Sequence, residues 1–233
     1  MNTYIELIDK YKGSNNIFIL GAGPSLYHCM IRDDFKSILS RGVVIVVNSA
    51  ILAYEEPYCF ITNDHLVINW SWWETVLKSS CKKIVRNSWL KYKDYTKDGF
   101  YIFSPRKTSE GIIDFEDHGL SYCCSTCSAI DFGTKLVGEK GKIFVLGLDH
   151  KGSNGVNHFW HLFDKKDRPR QIRPAQGPWN QQSSLFPIYL KAYNALEEFS
   201  DYKNCKIYNC NLDSNVNSFE KIKFEKIIKI IKN

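Results

Sequence analysis

Residues 19 to 26 read Ile19-Leu20-Gly21-Ala22-Gly23-Pro24-Ser25-Leu26, an apolar run that ends in two closely spaced glycines, a proline and a serine. Glycines let a backbone turn tightly and approach a ligand, and Pro24 suits the first position of a helix, where a missing N–H costs nothing. The free N–H groups of such a helix start would face a phosphate or another anion. As a dinucleotide fingerprint the string is defective. Leu26 stands where a third glycine belongs, and Asn48, not an acidic residue, follows the second apolar run. NAD is disfavoured; other nucleotides are not.

Further polar residues close the other apolar runs. Val43 to Val47 ends in Asn48, Tyr58 to Ile61 leads to Asn63 and Asp64, and Ile143 to Leu146 leads through Gly147 to Asp149. Each alone reads as an ordinary turn residue. Together they fall at carboxyl ends of expected strands, the edge where open α/β sheets bind ligands.

The elements that must position these residues follow from the same runs. Continuous rather than alternating apolar stretches indicate strands covered on both faces, hence a parallel sheet inside helices. Ile17–Leu20, Val43–Val47, Tyr58–Ile61 and Ile143–Leu146 are clear, Lys83–Val85 and Phe100–Phe103 weaker, and Lys206–Asn209 comes late. Helices are expected over Ser125–Gly138 and Phe186–Phe199. The fold class is α/β, one Rossmann-like, open, mostly parallel sheet with helices on both faces, spanning 1–233 as a single domain. Residues 150–184 break the rhythm: they are polar, carry several glycines and prolines, and hold Trp160, Phe163 and Trp179. A stretch this long without periodicity suits a lid over an anionic ligand, with a surface insertion as the plainer alternative. Residues 219–233 read as a basic amphipathic helix, packed on the sheet or lying on an anionic membrane. Trp70-Ser71-Trp72-Trp73 is an aromatic cluster suited to packing a helix or stacking on a sugar.

Composition sets the outer limits. The 233 residues are 44% hydrophobic and 24% charged, typical of a globular protein rather than a disordered one. A net charge of +6 permits an anionic partner without demanding nucleic acid, which is not expected as a partner. No run approaches the ~20 apolar residues of a membrane span, and Met1 to Glu6 lacks the pattern of a secretory signal. The expectation is a cytoplasmic protein, able through its terminal helix to sit at the inner face of a membrane. Eight cysteines without an export signal read as reduced thiols. Cys124-x-x-Cys127 has the spacing of a metal knuckle, but no nearby histidine completes a set, so buried, inert thiols and no metal are expected.

The strings Ile19 to Leu26, Val47-Asn48, Thr126-Cys127-Ser128-Ala129 and Leu146-Gly147-Leu148-Asp149 together resemble the motif series of the bacterial sialyltransferases of glycosyltransferase family 42. They are also similar to the related superfamily of 6-hydroxymethylpterin diphosphokinase-like proteins. The resemblance extends through Ala195–Phe199, Lys206–Tyr208 and Asn211–Ser214, over roughly residues 15 to 220. It implies a nucleotide site built from Gly21, Ala22, Gly23, Ser25, Asn48, Asn63 or Asp64, Thr126, Ser128 and Asp149. In the sialyltransferases that site holds a CMP-sugar, and the loop after the Gly-x-Asp strand end closes over the donor. Two positions depart from the family. Ala22 replaces an asparagine, and Gln181 to Ile188 lacks the histidine expected before the penultimate helix.

A transferase of this kind then needs its base elsewhere. His158 and His161 lie three residues apart within the lid, and His158 is the first candidate to take a proton from an acceptor hydroxyl. Asp149 and Asp64 could do the same work. Arg168, Arg170 and Arg173 could neutralise the leaving phosphate. The chain has no Asp-x-Asp, which fits metal-independent inversion with a nucleotide sugar as co-substrate and a glycan or other hydroxyl acceptor. The alternatives are a pterin diphosphokinase-like enzyme using ATP and Mg²⁺ held by Asp64 and Asp149, and a nucleotide-binding module without catalysis.

Overall fold

The computed structural model describes residues 3–106, 119–150, 156–172 and 182–232. Ten strands form among the described residues, β1 (Ser14–Leu20), β2 (Val43–Val47), β3 (Cys59–Thr62), β4 (Lys82–Arg86), β5 (Phe100–Phe103), β6 (Pro105–Arg106), β7 (Leu120–Ser121), β8 (Val137–Leu146), β9 (Lys206–Asn209) and β10 (Glu220–Lys221). Eight of them make one sheet in the order β10-β9-β8-β1-β2-β3-β4-β5, while β6 and β7 pair separately. Every ladder is parallel. The expected α/β, Rossmann-like class is the one observed.

Successive side chains of a strand point to opposite faces, so each apolar run feeds two cores. Ile17, Ile19, Ile45, Ile143 and Val145 meet Ile130 and Phe132 of α5 (Ser125–Leu136) and Leu196 of α6 (Gln182–Tyr202) on one face. Phe18, Leu20, Val44, Val46, Phe60 and Phe144 form the other core, against α2 (Ser25–Met30), α3 (Phe35–Leu39) and α4 (Trp73–Lys78). Two further helices are short, α1 (Ile8–Tyr11) and α7 (Ile227–Lys232).

Two expectations about elements are corrected. The helix expected from Phe186 starts earlier, at Gln182, and carries Pro187 inside it at the loss of one backbone hydrogen bond. The single helix expected over 219–233 is instead strand β10, a 3-10 turn at Phe224–Lys226 and α7. Strand pairing wins there: Glu220 and Lys221 register with Tyr208 and Asn209, and Ile222 N donates to Asn209 O at 2.9 Å. Ile227 is buried, and Ile228, Ile230 and Ile231 pack on the same core, so the apolar side chains of this segment meet the sheet. No helix among the described residues is long and apolar enough to cross a membrane.

The described part of the expected lid, 156–172, is docked. Phe159 and Trp160 are buried. Phe159 N donates to Ala22 O at 3.1 Å, and Trp160 Nε1 to Ser49 Oγ at 3.2 Å. Ser71 N donates to Arg170 O, Arg170 N to Ser71 Oγ and Ile172 N to Asn69 O. The tryptophan cluster helps hold this segment, because Trp70 packs on Trp160 with ring centroids 5.6 Å apart. Trp72 and Trp73 pack inward on Phe60, so the cluster seats α4 and the docked segment.

Candidate functional site at the carboxyl edge of the sheet

The strand order reverses between β1 and β8, and the crevice outside their carboxyl ends is the switch point. The loops after these strands touch backbone to backbone. Gly21 N donates to Leu146 O at 2.7 Å and Gly23 N to Gly147 O at 3.0 Å. A Cβ on Gly21 would lie 2.7 Å from Gly147 O, too close for any side chain. Gly147 itself has φ +71°, a second reason for glycine there.

Asp149 decides what this edge can hold. Its Oδ2 accepts from Ser25 N at 3.0 Å, and its Oδ1 accepts from Asn211 Nδ2. Thus an N–H expected to face a bound phosphate is met by the chain's own carboxylate. Pro24 also sits one position earlier than expected, as the residue before α2. Asp149 is buried, and burial pushes its carboxyl above the usual range, against the hydrogen bonds from Ser25 and Asn211. A Cβ on Gly23 would overlap the Asp149 carboxylate, so the second glycine of the motif makes room for an aspartate.

Two polar atoms here are left over. Asn48 Oδ1 and Ser25 Oγ are buried with no hydrogen-bond partner among the described residues. Asn48 has φ +52°, a left-handed conformation that asparagine tolerates better than most residues. Unpaired buried polar atoms cost about 1–3 kcal/mol each, so such atoms take a partner, an ordered water or a ligand group.

The lid brings His158 to this loop. Its ring stacks on Trp160 with centroids 5.3 Å apart and reaches the Ala22 backbone. Burial first, then the neighbouring His161, pushes the His158 pKa down to about 4, against the Ala22 hydrogen bond. His161 Nδ1 accepts from Asn157 N at 3.1 Å and His158 N at 3.3 Å. Burial and the charge of Arg168 lower His161 as well. Arg168 Nε donates to Phe163 O at 3.0 Å, Arg170 is exposed, and Arg173 lies outside the described residues, as does Trp179.

Asn63, Asp64 and Ser128 do structural work. Asn63 Nδ2 donates to Tyr122 O at 3.1 Å, its Oδ1 accepts from Ser128 Oγ at 2.9 Å, and its N–H donates to Ser125 Oγ at 2.9 Å. Ser128 is wholly buried, and its one hydroxyl proton is shared between Asn63 Oδ1 and Ser121 O. Asp64 caps the next turn by accepting from Leu66 N at 2.9 Å. These bonds pin α5 to the end of β3 and engage the polar groups of Asn63 and Ser128, both expected at the nucleotide site. Thr126 is half-buried on the first turn of α5.

A cluster that sequence reasoning missed lies alongside. His150, φ +45°, places its Nε2 2.8 Å from Tyr193 Oη, and that hydroxyl is 3.2 Å from Cys124 Sγ. The Cys124 and Cys127 sulfurs are 3.4 Å apart. Burial raises the thiols of Cys29, Cys59, Cys205 and Cys210 above the ordinary range, and Cys124 differs from them. The Cys127 hydrogen bond, with His150 and Tyr193, holds the Cys124 thiol well below its ordinary range despite burial. His150, next to Asp149 in sequence, was the available signal. Its distance from the cysteines along the chain hid it.

No protein-family model and no curated protein matches the chain. Solved structures that match include the C-domain, with NADP, of a bacterial malonyl-CoA reductase, at 9% identity and a TM-score of 0.33. That match covers 97% of this chain and 32% of the other, so the chain spans about a third of that neighbour's length. At such a distance the likeness says nothing of ligand or reaction.

Proposed function

We propose that the chain is a nucleotide-dependent transferase of the glycosyltransferase kind, with a CMP-sugar as donor and a glycan or other hydroxyl compound as acceptor. The observation that carries the reading is the pair of buried, unpartnered atoms, Asn48 Oδ1 and Ser25 Oγ, at the switch point. A nucleotide supplies a partner for each: amino or hydroxyl donors for Asn48, and a phosphate oxygen to accept from the Ser25 hydroxyl. Asp149 occupies the adjoining backbone N–H, so the phosphate would sit on the Ser25 hydroxyl side.

In this reading the acceptor oxygen attacks the anomeric carbon as the bond to the CMP phosphate breaks, with inversion. The acceptor proton passes to His158, neutral at physiological pH because its pKa is about 4. Asp149, whose carboxyl binds a proton more readily than usual, is the second candidate for that proton. The Mg²⁺-dependent phosphoryl-transfer alternative is weakened because both Asp149 oxygens and one of Asp64 already accept hydrogen bonds within the chain.

The test uses CMP-sialic acid as probe, in chelator, with released CMP measured by chromatography. The native chain should release CMP, and His158→Ala should cut the rate by about 10²–10⁴-fold. Release unchanged by His158→Ala, or no release at all, overturns the catalytic reading. Binding of CMP without turnover would select a non-catalytic nucleotide-binding module.

A further inference from the structure

We propose that Cys124 and Cys127 are a redox-active dithiol that exchanges electrons with small-molecule disulfides of the glutathione type, Cys124 being the attacking sulfur and Cys127 the resolving one. The pair stands at the start of α5, a helix of 12 residues, with Cys124 as its N-cap. Cys127 N donates to Cys124 Sγ at 3.4 Å, and the two sulfurs are 3.4 Å apart, close enough to join with little movement. A thiolate at a helix N-terminus is favoured by the positive end of the helix dipole. His150 and Tyr193 complete the surroundings, their 2.8 Å hydrogen bond ending 3.2 Å from Cys124 Sγ.

The two sulfurs are not equivalent. Cys124 is half-buried, whereas Cys127 is wholly buried. The Cys124 thiol is held low and the Cys127 thiol high, the latter chiefly by burial. This is the asymmetry of an attacking and a resolving cysteine. The remaining thiols set a contrast, since burial lifts Cys29 to about 12 and Cys205 to about 11.

The chemistry balances without a further reactant. The Cys124 thiolate attacks one sulfur of the small disulfide, whose S–S bond breaks and releases one thiolate. Cys127 then loses its proton and attacks Cys124 Sγ in the mixed disulfide, expelling the second small thiol. Two protein thiols are oxidised to one disulfide, and one small disulfide is reduced to two thiols, which take up the two protons.

The experiment treats the reduced native chain with glutathione disulfide, quenches with acid and maps the peptides by mass spectrometry. A Cys124–Cys127 link with two glutathiones released per chain is expected. Cys127→Ser should instead stop at a glutathione adduct on Cys124, and Cys124→Ser should give neither product. Because a serine also alters a buried contact, iodoacetamide labelling of the native chain is followed residue by residue near neutral pH. Cys124 should label at least about tenfold faster than Cys29 or Cys123. Glutathione on Cys123 alone, no link between residues 124 and 127, or labelling of Cys124 no faster than its neighbours overturns the proposal.

Discussion

Burial of His158 against Trp160 and the Gly21 loop makes the stability of this fold depend on pH in a calculable way. The side chain has its pKa lowered from 6.5 to about 4 in the folded chain, so below about pH 6 the unfolded chain binds a proton that the folded one refuses. Folding stability is therefore lost as the pH falls from the unfolded value towards the folded one. Taking those two values, the loss between about pH 7 and about pH 5 is about 2 kcal/mol, and it approaches about 3 kcal/mol below pH 4. Other groups also titrate over this range, with Asp149 acting in the opposite sense because its folded carboxyl is raised. The comparison must accordingly be between the native chain and His158→Gln, in which all other groups are shared. Urea unfolding followed by tryptophan fluorescence gives both stabilities. A fixed offset between the two proteins at about pH 7 reflects the changed packing. Between about pH 7 and about pH 5 the native chain should lose about 2 kcal/mol more than the variant. If both proteins lose the same amount, His158 is not held neutral by the docked segment, and its placement beside Ala22 is wrong.

Three other perturbations report on the frame around the site. Asp131, wholly buried, accepts from Arg106 and from Ser121 N, and Asp131→Ala should cost about 3–5 kcal/mol in urea unfolding by removing the carboxylate from a buried ion pair; a loss within the noise contradicts that pairing. Gly23→Ala forces a Cβ into the Asp149 carboxylate and to 2.6 Å from Gly147 O, so thermal unfolding should show a loss of about 1–3 kcal/mol together with weaker nucleotide binding; an unperturbed variant contradicts the contact between the two loops. Ile227→Ala should cost about 2–5 kcal/mol because that side chain is wholly buried in the sheet's own core; a residue facing a membrane would leave the stability of the free chain unchanged.

Strands that are buried on both faces announce themselves, which is why Ile17–Leu20, Val43–Val47 and Ile143–Leu146 were legible and, through them, the parallel sheet and its carboxyl edge. β8 in fact begins at Val137; Gly138, Lys140 and Gly141 interrupt its apolar pattern and hid its first half. The spacing of isoleucine and lysine after Phe219 mimics a helix, and only pairing with β9, a tertiary contact, turns its start into a strand. At the site, sequence located the loops but not their occupants. Nothing in the order of residues says that Asp149 bonds the N–H of Ser25, since that depends on the close approach of Gly23 and Gly147. Likewise the Cys124, Cys127, His150 and Tyr193 cluster draws on three separate stretches of chain, and local spacing reveals only the cysteine pair.

The central claim is that the crevice at Asn48 and Ser25 holds a nucleotide, and calorimetric titration of CMP into the native chain and Asn48→Gly, in chelator, tests it most directly. Glycine accepts the left-handed backbone at position 48, so the variant removes the orphaned oxygen without straining the turn. The account predicts saturable CMP binding to the native chain, weakened at least about tenfold in Asn48→Gly, a difference of about 1.4 kcal/mol. No binding of CMP, or equal binding by both proteins, would contradict it.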